Sequence, residues 1–188
     1  MTVTVRDATE ADAGLLHSLA LVTFGLACPP GTPQESIDEF VASQLSEERF
    51  DHYLAEGDRQ LLLVENDGLA VGYSMLVYRQ SEDPDVLACL TVAPSAELSK
   101  VYVVLGQHGT GAGDALVRAS VEAARTRGYG SIWLGVNEDN LRANRFYEKQ
   151  GFRVVGNKTF LLGGRYENDF VRELLKLINH KIYGVLEL

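Results

Sequence analysis

The sequence predicts an α/β domain built on a mixed sheet. Three observations predict it. Strand-length apolar runs alternate with helical patterns along the 188 residues, two of those runs meet at a hairpin turn, and a glycine-rich loop joins a strand to a helix. One domain over residues 1–188 is large enough to bury a full core without staples, with the core over about 3–175 and an extension at 176–188.

Taken in order, "TVTVRDA" alternates like a short strand. Thr9 then caps "EADAGLLHSLALVTFG", whose first turn is acidic, as a helix start prefers. "CPPGTP" breaks that helix, and residues 34–55 carry Ile37, Phe40, Val41, Leu45, Phe50 and Leu54 at spacings suited to one or two short helices. "QLLLVENDGLAVGYSMLVYRQ" is a hairpin turning at Asn66-Asp67-Gly68. Strands are expected over Val86–Val92 and over "ELSKVYVVL", and a helix over Ala115–Arg127 buries Leu116, Val117, Ala119, Ala123 and Ala124. "SIWLGV" is a strand, and "NLRANRFYEKQG" a helix closed by Gly151. "FRVVGNKTFLLGG" and "NDFVRELLKL" read as two more strands, the second ambiguous with a helix.

Composition excludes several classes. A formal charge of −9 argues against nucleic acid, which wants a basic stripe, and suits cationic partners through long-range attraction. No apolar run is long enough to span a membrane, and "MTVTVRDATEADAG" lacks the features of a signal peptide. Cys28 and Cys89 form no disulfide framework, which suits a reducing cytoplasm. The four scattered histidines lack ligand spacing, so no metal is expected.

"GQHGTGAGDAL" places four glycines within eight residues, between an apolar strand and a periodic helix. A P-loop would require a Lys-Ser or Lys-Thr that is absent, and Gly109, Gly111 and Gly113 miss the Gly-x-Gly-x-x-Gly spacing of dinucleotide folds. The shared physics survives. Successive N–H groups at a helix start form a nest for phosphate oxygens, which makes this loop a pyrophosphate cradle rather than a plain tight turn. Further on, Asn140 and Tyr147 are seven residues apart on one helix and so share a face. A tyrosine there could donate a proton, or simply pack on Phe146 and the sheet.

Together, "VYVV", "QHGTGAGDAL" and "NLRANRFYEKQGF" resemble, in order and spacing, the GNAT superfamily of N-acetyltransferases. The resemblance covers the chain to about Leu175 and is strongest from Leu98 to Phe152. It implies a mostly antiparallel, twisted mixed sheet flanked by helices, with acetyl-CoA as acetyl donor to an amine. It also implies that the backbone of Val101, Tyr102 and Val103 pairs with the pantetheine amides. Gly109, Thr110, Gly111, Ala112, Gly113 and Asp114 would surround the pyrophosphate. Asn140 matches a CoA-contacting asparagine, and Tyr147 the tyrosine that protonates the leaving thiolate. His108 stands where the family often has Arg or Gln, which suggests a weaker phosphate contact.

"IWLGVNEDNLRANRFYEKQGF", "FLLGGRYENDFVRELL", Thr23–Phe24 and "LSEERFDHYL" are similar to bacterial polyamine acetyltransferases. With the acidic charge, this points to a small cationic amine such as spermidine, bordered by Glu35, Asp38, Glu39 and Glu97. A protein or peptide acetyltransferase and a non-catalytic acyl-CoA-binding module are the alternatives. An aliphatic amine is mostly protonated near neutral pH, so a base must take its proton. Glu97 is favoured over Glu138 and Asp139, with the Val103 N–H stabilising the developing oxyanion. Neither cysteine is expected where an acyl-enzyme nucleophile would sit, so transfer is direct. The tail "INHKIYGVLEL" could pack on the core or on a second subunit, as in a homodimer.

Overall fold

The hairpin expected at Asn66–Gly68 forms as read, because Asp67 (φ 50°) and Gly68 (φ 81°) both adopt the left-handed backbone that a two-residue turn requires. It joins β2 (Arg59–Asn66) to β3 (Leu69–Val77) at the centre of one half of the sheet. The structure is a computed structural model that describes residues 2–162 and 164–175. The expectations for the tail 176–188 lie outside the described residues.

Upstream, β1 (Val3–Asp7) lies against β2, and a 3-10 turn at Glu10–Asp12, with Thr9 at its cap, leads into α1 (Ala13–Ala27). The helical stretch after the Pro-Gly break divides into α2 (Gln34–Gln44) and α3 (Glu47–Ala55), the second capped by the Ser46 side chain accepting from the Arg49 N–H. The strand expected over Val86–Val92 is instead α4 (Pro84–Cys89). Asp83 caps it by accepting from the Asp85 N–H at 2.9 Å, and Pro84 opens its first turn, where a missing N–H has no cost. Val86 is buried against Trp133 and Val171.

Then follow β4 (Ser95–Val103), α5 (Ala112–Thr126), β5 (Ser131–Asn137), α6 (Leu141–Lys149), β6 (Arg153–Leu162) and β7 (Arg165–Leu175). The last of these is a strand, which removes the helix ambiguity, and α5 begins three residues earlier than its periodicity suggested. The seven strands form one sheet in the order β1-β2-β3-β4-β5-β7-β6, antiparallel throughout except where β4 meets β5.

Alternation along the strands divides the core. Leu61, Leu63, Tyr73 and Met75 face α1–α3 and pack with Leu16, Phe24 and Phe50. On the other face Leu76, Leu98, Ile132 and Leu134 pack with Val117, Ala124 and Phe152.

Two irregularities of β4 position the site. First, Leu76 pairs with Leu98 but Met75 pairs with Lys100, so Ser99 is an extra, bulged residue. Glu97 and Lys100, three apart, would face opposite ways on a regular strand; the bulge turns both towards α1–α3. Second, β4 and β5 pair only over three residues, Ser95–Glu97 with Ser131–Trp133. Beyond them each strand stays bonded to its outer neighbour, β4 to β3 and β5 to β7, while the two inner edges part.

Candidate active site

The opening between β4 and β5 is a cleft of about 260 Å3 whose walls come from both strands, from α6 and from the end of α1. Val104 N–H donates to Val71 O of β3 at 2.9 Å. Alternation along the antiparallel ladder therefore turns the amide of Tyr102 to β3 and those of Val101 and Val103 towards the open edge. Of the three residues expected to pair with pantetheine, Val101 and Val103 turn their amides to the open edge, Val101 alone of these two lining the cleft, and Tyr102 offers its side chain. Its ring continues an aromatic wall in which Phe24 and Phe40 stack at 4.5 Å and Phe24 meets Tyr102 edge-on at 6.3 Å.

The glycine loop sits at the outer end of the same edge. Gly109 (φ 85°) and Gly111 (φ 89°) both hold left-handed backbone, and nothing lies within 4 Å of where a Cβ would be at either. Gly111 caps α5, whose first turn begins at Ala112. The amides of Gly113 and Asp114 are among the first-turn N–H groups that no carbonyl of the helix itself can reach. The Asp114 carboxylate is bound by the Gln150 side-chain amide. Thr110 donates through its hydroxyl to Gln107 O at 2.8 Å, which ties the loop down.

His108 is fixed at both ring nitrogens. Arg142 Nη1 lies 3.0 Å from Nδ1, and Val103 O lies 3.0 Å from Nε2. A guanidinium only donates and a carbonyl only accepts, so in this arrangement Nδ1 accepts and Nε2 donates. Arg142 thus brings a fixed positive charge beside the loop from α6, a residue that reading the loop alone does not find.

Asn140 caps α6, its Oδ1 accepting from the Ala143 N–H at 3.1 Å, and lines the cleft with Tyr147 as the seven-residue spacing required. Asn144 is buried. It donates to Asn137 O and Asn140 O at 2.9 and 3.0 Å and accepts from Arg172 Nε at 3.0 Å, so it locks the turn from β5 into α6. The Tyr147 ring is held edge-on between Phe146 and Phe152 at 5.2 and 5.7 Å. Burial pushes its hydroxyl pKa above the usual tyrosine range and keeps it protonated.

Glu97 lines the inner end of the cleft, and desolvation raises its pKa against the attraction of Lys100 and Lys158. Glu138 and Asp139 do not line it; Glu138 accepts from the Asn168 side chain at 3.3 Å, and Asp139 is exposed. Glu35, Asp38 and Glu39 are exposed on α2, outside the cleft lining, and Asp38 accepts from Gln34 at 2.8 Å. Two carboxylates not anticipated, Glu167 and Asp169, stand in the wall beside Lys158, with Lys158 Nζ 3.7 Å from Asp169. Cys28 also lines the cleft, contrary to expectation, but burial lifts its thiol to about 11, and the thiol donates to Phe24 O at 3.5 Å. A thiol so held is a poor nucleophile near neutrality.

A parted strand edge, a glycine loop opening a helix, and a buried carboxylate and tyrosine in one cleft are an arrangement suited to an acyl-CoA-dependent acyltransferase. The chain belongs to the Acetyltransferase (GNAT) family, whose family model matches residues 30–152. It is 45% identical over 166 residues to an uncharacterised N-acetyltransferase of Mycobacterium tuberculosis, a match covering 87% of this chain and 99% of that one. Among solved structures it is similar to the PaiA N-acetyltransferase of Thermoplasma acidophilum in complex with coenzyme A, at TM-score 0.74 and 19% identity, covering 94% and 100% of the two chains. It is also similar to the spermidine/spermine N-acetyltransferase SpeG of Vibrio cholerae, at TM-score 0.63 and 21% identity, covering 93% and 95%. The protein is an acetyl-CoA-dependent N-acetyltransferase. No helix among its described residues is long and apolar enough to cross a membrane.

Proposed function

We propose that the protein moves the acetyl group of acetyl-CoA directly to the amine of a small acceptor that enters between α1 and the β6–β7 wall. The observation that carries this reading is the open edge of β4, with Glu97 at its inner end and Tyr147 on the opposite wall. Acetyl-CoA supplies a thioester carbonyl as electrophile. Val101 and Val103 hold the pantetheine arm through backbone, and Gly109–Asp114 hold the pyrophosphate with Arg142 beside them. Asn140 lines the arm's path. Glu97 takes a proton from the acceptor ammonium, and burial, by raising its pKa, makes it a stronger base than an exposed carboxylate. A β4 amide that faces the cleft donates to the carbonyl oxygen, a type of contact that contributes about 3 kcal/mol; Val101, which lines the cleft, is placed for this, whereas Val103 lies beyond the lining and too far from Glu97. Tyr147 gives its proton to the sulfur. A tyrosine is a weaker acid than a thiol, so this transfer must accompany C–S cleavage rather than precede it.

The protonated Cys28 supports direct transfer over an acetyl-enzyme. Mass spectrometry of the protein mixed with acetyl-CoA and no amine tests this: unmodified Cys28 is expected, and an acetyl adduct there that an amine then discharges would refute it. A polyamine acceptor is the second reading, supported by Glu97, Glu167 and Asp169 in the cleft and by the overall charge of −9. Lys100 and Lys158 are interspersed with those carboxylates. We place the reaction in the cytoplasm on the ground that Cys28 and Cys89 are both free thiols.

A further inference from the structure

A second chamber of about 320 Å3 adjoins the cleft on the α1–α3 face and shares Glu97, Ser99 and Lys100 with it. Its origin is the sheet register. Arg59 pairs with Val77 and Val77 with Glu97, so all three side chains rise in one row from β2, β3 and β4. Lys100 joins that face because of the bulge at Ser99. The chamber is completed by Tyr53 and by the segment after β3, including Arg79 and Glu82.

The charges are unevenly compensated. The Tyr53 ring gathers three cations, with Arg59 Cζ at 4.7 Å, Arg49 Cζ at 5.1 Å and Lys100 Nζ at 5.7 Å from its centroid. Arg59 is bonded to Glu56, and Arg79 lies 3.6 Å from Asp58, both of these acids standing outside the lining. Glu82 and Glu97 are the acids in the lining. The Lys100 ammonium makes no ion pair or side-chain hydrogen bond among the described residues, and Arg49 Nε is buried without a partner. Burial, reinforced by Arg59 and Arg49, lowers the Lys100 pKa to about 8 in spite of Glu97. When Glu97 holds the acceptor's proton, the chamber is left one positive charge in excess.

We propose that this chamber binds a carboxylate of the acceptor on Lys100 and Arg59, so that the substrate is a zwitterionic amine of the amino-acid or short-peptide kind. The inference rests on the transferase reading above and displaces its polyamine version. Once the bulge is absorbed, Glu97 and Lys100 stand two strand steps apart, ~7 Å, within reach of the amine and carboxylate of one small molecule. A polyamine would set its second ammonium beside Lys100 and Arg59, where like charges oppose it.

CoA release is measured with amino acids and short peptides bearing a free carboxylate, with their methyl esters, and with spermidine. The wild-type protein should show a KM lower by about 10- to 100-fold for the acid than for its ester, the range for a hydrogen bond to a charged group. K100M should bring the acid-to-ester ratio close to one, and K100R should restore much of it. Comparing this ratio between variants cancels the differing basicity of acid and ester amines. An equal loss by K100M on both members would make Lys100 a structural residue and overturn the proposal. So would preference for spermidine over every carboxylate, which leaves the transferase reading standing. Acetylation of no small amine at all would overturn that reading and this one together.

Discussion

Replacing Glu97 by Gln keeps the side chain's size and removes its capacity to take a proton. An aliphatic amine of pKa near 10.4 is neutral in only about one molecule per thousand at pH 7.5, so for such an acceptor the base is worth up to ~10³-fold there, and for a peptide α-amine of pKa near 8 about fourfold. Without it, the rate follows the neutral amine already in solution and rises about tenfold per pH unit. With it, the rate is limited by Glu97 itself: burial raises its pKa, so activity is lost as pH falls through that raised value and flattens above it. The ratio of wild type to E97Q should therefore shrink about tenfold per unit from pH 7 towards the acceptor pKa. Steady-state kcat/KM across pH 6–10 measures it, with acetyl-CoA affinity by calorimetry as the control for folding. A ratio that stays constant across that range, or an E97Q enzyme as fast as wild type at pH 7, would refute Glu97 as the base.

Tyr147→Phe preserves the ring contacts with Phe146 and Phe152 and removes the hydroxyl, so kcat should fall by about 10- to 1,000-fold while acetyl-CoA still binds; unchanged kcat returns Tyr147 to packing. Gly111→Val puts a branched side chain at φ 89°, straining the backbone by about 1–2 kcal/mol and filling the cradle, and calorimetry should show CoA affinity reduced more than tenfold. Gly72→Ala would set a Cβ 2.4 Å from Tyr102 O and 3.1 Å from Val103 Cα, forcing β3 and β4 apart. Thermal unfolding should show a loss of about 1–3 kcal/mol, the range for overpacking, and a variant as stable as wild type would contradict the close approach.

What the sequence made legible was what depends on neighbours in the chain. Asn66-Asp67-Gly68 dictates its turn locally, and the glycine loop and the Asn140–Tyr147 spacing follow from backbone freedom and helical pitch. Val86–Val92 reads as a strand because a short apolar run has no decisive period, although Asp83-Pro84 is a helix start in plain view. The bulge at Ser99 has no such local mark; it exists because β3 pairs two of its residues with three of β4. Lys100 was therefore invisible as a companion of Glu97, and strand alternation argued against it. Arg142 beside His108, Cys28 in the cleft wall, and Glu167 and Asp169 opposite β4 likewise come from contacts between segments far apart in the chain. The acceptor's chemistry depends on those contacts and was the least readable part.

The parting of β4 and β5 has a thermodynamic consequence. Few folds leave the middle of a sheet unzipped, because each exposed strand edge forgoes its ladder bonds. A ligand that threads this gap supplies the missing pairing, and it binds only the folded chain. Its binding is therefore coupled to folding: at one hundred times its dissociation constant, such a ligand adds ~2.7 kcal/mol, a sizeable share of a typical domain's whole stability. The lifetime of this protein against unfolding and proteolysis should then rise and fall with the supply of acetyl-CoA around it.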